Sequence, residues 1–295
     1  ALDWWTVLRG RASEPPCPFD GSGPAGGSFP VLRDPPVAAP KKTAWEDALG
    51  GPRAAQPFIR ARLAGWPSQV LVERDALPLE SAAFLRRLAR DTWRGLDALT
   101  DREHGLPVDN VSFGASTDIA DSRIGDYTNI TNVGLHLIAV VAAREIGLLD
   151  DAGARERLAR TLDTLARLES AHGFFYNYYD TTSLERTSGF LSFVDSAWLT
   201  AGLMVTRSAF PDLHQPATAL IDRMDFGFLY DRRVGQMAHG YYVGRRKRSP
   251  YHYGVFYTEA RLGYLIAIGK GDVPWTSWFS PVRTYPASCR GQRMA

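Results

Sequence analysis

The sequence predicts an all-α fold built from repeated αα-hairpins, and three observations carry that expectation. First, His104-Gly105, His172-Gly173 and His239-Gly240 recur about every 67 residues, a period that fits two helices with their two loops. Second, each pair is followed by a polar and aromatic loop and then by a helix starting near Thr131, Asp195 or Thr258. Third, the helices differ in character. The segment 131–146 is apolar nearly all round and should be buried, whereas 152–171 is amphipathic and should lie outside it. A plain helical bundle in which the His-Gly pairs are coincidental is the alternative.

In chain order, residues 1–75 read as a leader or linker, rich in Pro and Gly through residue 45, with short helical turns at 44–50 and 55–65. A globular pattern over 76–279 follows, then an irregular tail at 280–295. In the first helix Leu85, Leu88, Leu96 and Leu99 fall at helical spacing, with Trp93 near the stripe. A long irregular stretch then runs from Gly105 to Asn129; loops of that length inside a domain are usually functional or disordered. Gly147 suits a helix stop and Asp150 or Asp151 a cap. The helix at 152–171 carries Leu158, Leu162, Leu165 and Leu168 on one stripe. Further helices are expected at 195–209, 213–227 and 257–269.

Composition narrows the partners. A net charge of +2 gives no electrostatic basis for nucleic acid, and RRKR at 245–248 reads as a solvated loop. No apolar run is long enough to span a bilayer. Cys17 and Cys289 make neither a disulfide framework nor a metal cluster, and no metal or cofactor motif is present. The compartment is not readable.

The stretch 172–204 is the richest in chemistry. Phe174, Phe175, Tyr176, Tyr178 and Tyr179 stand beside Asn177, Asp180 and Glu185. Flat rings interleaved with short polar groups suit a sugar; a buried aromatic loop with its polar groups satisfied internally fits equally. Stacked hairpins would start all their inner helices on one face. Asp126, Asp195 and Glu259 would then converge on one cleft, where paired carboxylates are what glycoside cleavage requires. The alternative is that Asp195 and Glu259 merely cap their helices.

The segments TNITNVGLHLIAVVAAREIG, LARTLDTLARLESAHGFFYNYYDTTSLE, FVDSAWLTAGLM and FYTEARLGYLIAIGKGDVPWTSWF, with TWRGLDALTDREHGLPVDN ahead of them, resemble the glycoamylase-like family over about 80–279. That family includes endo-β-1,2-glucanases and the central domain of cyclic β-1,2-glucan synthases. The resemblance implies an (α/α)6 toroid and a β-glucan substrate, β-1,2-linked. It puts Asp195 at the family's carboxylate position in the FVDSAWL segment, as general acid, and Asp126 at a second one that activates water. Asn132, Tyr176, Asn177, Tyr178, Asp180, Tyr257 and Glu259 match positions that contact sugar. No cofactor is implied. Only three to four hairpins are visible, so further domains or a second chain would complete the ring; the alternative is a non-catalytic glycan-binding or structural module.

Overall fold

The computed structural model describes residues 44–63, 65, 77–113 and 122–283. The Pro/Gly-rich segment to residue 43, Cys17, Cys289 and the tail beyond 283 lie outside them. Val37–Val282 form one compact unit, which holds every helix and strand named here.

Two short helices, α1 (Ala44–Ala48) and α2 (Pro52–Arg62), fall in the stretch expected to be leader. They are tied into the unit. Ala55, Ile59 and Leu63 pack with Ile124 in a small apolar cluster. Trp45 Nε1 donates to Asp180 Oδ2 at 2.9 Å, and Arg62 pairs with the buried Asp101 at 2.8 Å.

Six helices follow, a more polar one and then a more apolar one each time: α3 (Ser81–Ala98) and α4 (Ile130–Glu145), α5 (Asp151–Arg167) and α6 (Phe193–Ala209), α7 (His214–Asp222) and α8 (Ala260–Gly269); between sequence neighbours the close packing is of α4 on α5 and of α6 on α7. Local chemistry sets the ends. Gly147 follows α4 at φ +74°, and Asp150 caps α5 by accepting from the Gly153 amide at 2.7 Å. Helix α6 is central and packs against α4, α7 and α8. The α4–α6 approach is close: a Cβ at Gly134 would lie 2.3 Å from the Trp198 carbonyl oxygen, and one at Gly202 would lie 2.3 Å from the Gly134 carbonyl oxygen. Both positions therefore require glycine.

Helix α5 covers this layer with the expected stripe, and Leu158, Leu162, Leu165 and Leu168 are all buried. Each such burial is worth about 1.5–3 kcal/mol. Helix α3 corrects the sequence reading: Leu85, Leu88 and Leu96 are exposed, and Trp93 is the side chain that enters the core. Helical spacing finds an apolar face but does not tell which face a neighbour covers.

Helices dominate, but the loops are not plain coil. Strand β3 (Tyr127–Asn129) pairs antiparallel with β6 (Tyr178–Asp180), with Thr128 opposite Tyr179. Strand β7 (Phe190–Ser192) pairs with β10 (Gly240–Tyr242), which pairs in turn with β11 (Lys247–Arg248). Three short ladders join neighbouring segments: β1 (Val111–Ser112) with β2 (Arg123–Ile124), β4 (Ser170–Ala171) with β5 (Phe174–Phe175), and β8 (Tyr230–Asp231) with β9 (Gln236–Met237). The His-Gly repeat has a structural basis that changes along the chain. Gly173 turns at φ +81°, with Arg223 O only 1.8 Å from where a Cβ would be. Gly240 instead opens β10, pressed against Leu191 O.

Candidate active site

The first turns of α4 and α6 meet where β3 and β6 run past them. Ser192 caps α6, its Oγ accepting from the Asp195 amide. The Asp195 carboxylate is thus not needed as a cap, and it reaches across to α4: Thr131 Oγ1 donates to Asp195 Oδ1 at 2.5 Å. Glu259 stands at the N-cap position of α8 but makes no capping bond; Thr258 Oγ1 accepts from the Ala260 amide instead. The simple capping roles open from sequence are therefore filled by Ser192 and Thr258.

A third carboxyl joins this pair. Asn132 Nδ2, one residue along α4 from Thr131, donates to Asp109 Oδ1 at 2.7 Å. The Tyr127 phenol also binds Asp109, and its oxygen accepts from Asn110 Nδ2. The Asp109 amide donates to Tyr127 O at 2.8 Å, which fixes the loop onto β3. Burial first, and then the Asp195 charge, raise the Asp109 carboxyl above its ordinary value, against the donors around it. Partial desolvation, with Asp195 next, raises Glu259 as well, opposed by the Trp198 indole. Asp195 thus lies electrostatically between two carboxyls. The Tyr178 phenol is raised by burial and by the Asp109 charge, and its ring meets Tyr127 edge-on at 5.9 Å.

The other residues singled out from sequence have separate settings. Asp126 is only 7% exposed and accepts from Thr181 Oγ1. Burial, and then the Asp180 charge, push its carboxyl up to about 6. Asp180 is a turn former: it accepts from the Thr182 and Ser183 amides at 2.9 and 2.6 Å and from Trp45. Asn177 is buried, with its backbone bonded to Phe190 and Ile130. Tyr176 is buried under the Arg186 guanidinium, 4.6 Å from its ring centre. Tyr257 is exposed at the rim before α8.

Most of the aromatic loop is therefore core. Phe174, Phe175 and Tyr179 are fully buried, and Tyr179 Oη donates to Glu169 O at 2.6 Å. Tyr178 is the ring of that loop whose phenol is raised by the Asp109 and Asp195 charges, after burial. Asp109 was absent from the sequence-level candidates. Its signal was positional, four residues past Gly105, where the next repeat carries Asn177. Among the described residues no group of three or more His, Cys, Asp or Glu is arranged to hold a metal, and no helix is long and apolar enough to cross a membrane.

A family model described as a protein of unknown function, DUF3131, matches residues 87–271. The chain belongs to the DUF3131 family. This DUF3131 chain is also 30% identical, over 159 residues, to the cyclic β-(1,2)-glucan synthase NdvB of Rhizobium meliloti (strain 1021), covering 52% of this chain and 5% of that protein. Its fold is similar to an endo-β-1,2-glucanase from Chitinophaga pinensis solved with sophorotriose and glucose (TM-score 0.52, 14% identity, 71% of this chain and 50% of that one). It is similar also to a β-1,2-glucanase from Parabacteroides distasonis (TM-score 0.52, 15% identity, 65% of this chain and 28% of that one). The DUF3131 chain spans half or less of each of these relatives. The glycoamylase-like resemblance read from the sequence agrees with them.

Proposed function

We propose that this DUF3131 chain is part of an (α/α)6 toroid that cleaves or transfers a β-1,2-linked glucan, with Asp195 at the centre of its cleft. The observation that carries the proposal is that the first turn of α4 holds Asp195 at the start of α6 through Thr131 and the loop carboxyl Asp109 through Asn132, with the Asp195 charge acting on both Asp109 and Glu259. Glycoside chemistry uses two carboxyls, one to protonate the leaving oxygen and one to activate water or attack the sugar. The substrate class comes from the names of the synthase and glucanase relatives. In this reading Tyr178 and Glu259 would hold sugar hydroxyls, with the exposed Tyr257 two residues before Glu259 in the chain. Asp126 keeps company with Asp180 rather than with Asp195, so the second carboxyl of the pair is sought nearer Asp195. Three hairpins are half of six; further chain or a second copy would supply the rest of the ring.

The test is incubation of the chain and of Asp195→Asn with linear β-1,2-glucan, following oligosaccharide release. Release by the parent, falling by about 10²-fold or more in the variant, is expected. A folded parent that binds the glucan without releasing product would be a binding module. One that neither binds nor cleaves it would overturn the proposal.

A further inference from the structure

We propose that Asp109, and not Asp195 as the family resemblance implies, is the general acid, that Asp195 takes the proton of the attacking water, and that Asn132 is the positioning residue of Asp109. The inference rests on the glycan-active reading above. Three carboxyls are candidates for the second member of the pair, and their settings separate them. Asp126 is nearly closed off from solvent, and its interactions run to Asp180, Thr181, Thr182 and Asp101. Glu259 is exposed and makes no capping bond at its helix end, with the Trp198 indole donating to it. Asp109 is half-buried, so a sugar can reach it, and it is held from two elements at once: by Asn132 on α4 and by Tyr127 on β3. A reacting carboxyl must be held in one geometry, and donors on separate rigid elements do this.

The contacts also divide the labour. Asn132 fixes Asp109 Oδ1, and Thr131, its neighbour on the same helical turn, fixes Asp195 Oδ1. One turn of α4 therefore sets the spacing of the two carboxyls. Burial and the Asp195 charge both favour the protonated form of Asp109, which a general acid needs. In the step, the Asp109 proton passes to the glycosidic oxygen as the bond from that oxygen to the anomeric carbon breaks. A water adds to that carbon and gives its proton to Asp195. Asp109 ends ionised and Asp195 protonated, and exchange with solvent resets both.

An acid is dispensable when the leaving group needs no proton, and the test uses that. The chain, Asp109→Asn and Glu259→Gln are assayed on linear β-1,2-glucan and on 2,4-dinitrophenyl β-sophoroside. Asp109→Asn should lose about 10²–10⁴-fold on the glucan and stay within about tenfold of the parent on the dinitrophenyl substrate. Equal loss on both substrates, no loss on the glucan, or the same leaving-group signature in Glu259→Gln instead would overturn the assignment. A folded parent inactive on both substrates would overturn the glycan-active reading itself. Should Asp109→Asn fail to fold, Asn132→Leu carries the test: it should show the same leaving-group dependence in milder form, and loss that ignores the leaving group would sink the proposal.

Discussion

Thr131 Oγ1 donates to Asp195 Oδ1 across 2.5 Å, joining the first turn of one inner helix to the first turn of the next. Hydrogen bonds to charged groups are worth about 1.5–3 kcal/mol, and this one lies at the site. Thr131→Val keeps the shape and removes the donor. Turnover of β-1,2-glucan should fall at least tenfold while the melting temperature drops by only a few degrees. An unchanged rate constant would show that Asp195 needs no help from α4.

Tyr178 stands edge-on to Tyr127 and beside Asp109. Tyr178→Ala should weaken binding of β-1,2-glucan oligosaccharides by about 1–3 kcal/mol, the scale for burying an aromatic side chain. Titration calorimetry with Asp195→Asn as background isolates binding from turnover. Tyr179→Ala, by contrast, should act on stability, because its ring is fully buried and its hydroxyl is already bonded.

Gly202 and Gly134 bring α6 and α4 into backbone contact. Gly202→Ala puts a methyl 2.3 Å from a carbonyl oxygen, with no flexible side chain to yield. Overpacking of this kind costs about 1–3 kcal/mol, and thermal melts should register it. A melting temperature equal to the parent's would mean that the helices separate freely.

Two buried groups give opposite pH dependences. Asp126 is pushed up to about 6 from 3.8, chiefly by burial. Between those values the folded chain keeps a proton that the unfolded chain releases, so its contribution falls as pH rises. His136, on α4, is pushed down to about 4 from 6.5 by burial, and its Nδ1 has no hydrogen-bond partner among the described residues. There the unfolded chain takes up the proton, so its contribution falls as pH drops. Each is worth about 1–3 kcal/mol, and over pH 4–6 they largely cancel. Urea melts from pH 4 to 7.5 should therefore show stability rising with pH in Asp126→Asn and falling with pH in His136→Leu. Parallel profiles for parent and both variants would contradict this.

The helices were legible because their signals are long. The α5 leucine stripe, the apolar α4 and the Asp150 cap stand as read. The strands were not legible, because runs of two or three residues are shorter than any periodicity window. Asp195 and Glu259 were read from their place at helix starts, and the Asp195 charge is felt at Glu259. Asp126 was chosen by the same rule, yet the chain turns it toward Asp180. Asp109 lies in irregular chain, and bonds from Asn132 and Tyr127, distant in sequence, hold it against the first turn of α4. Composition left the loop at 174–179 open between a sugar platform and a buried aromatic loop, because it cannot tell a ring that faces solvent from one that fills the core.

The pairing of β3 with β6, and of β7 with β10, ties the loop of each hairpin to that of the next. The rim is therefore one woven belt, not a set of independent fingers. Lengthening or recutting a single loop at a paired position would unpick its neighbour too. On the proposed reading, variation in what the cleft accepts should then concentrate outside these ladders, where a change alters one wall without loosening the rest.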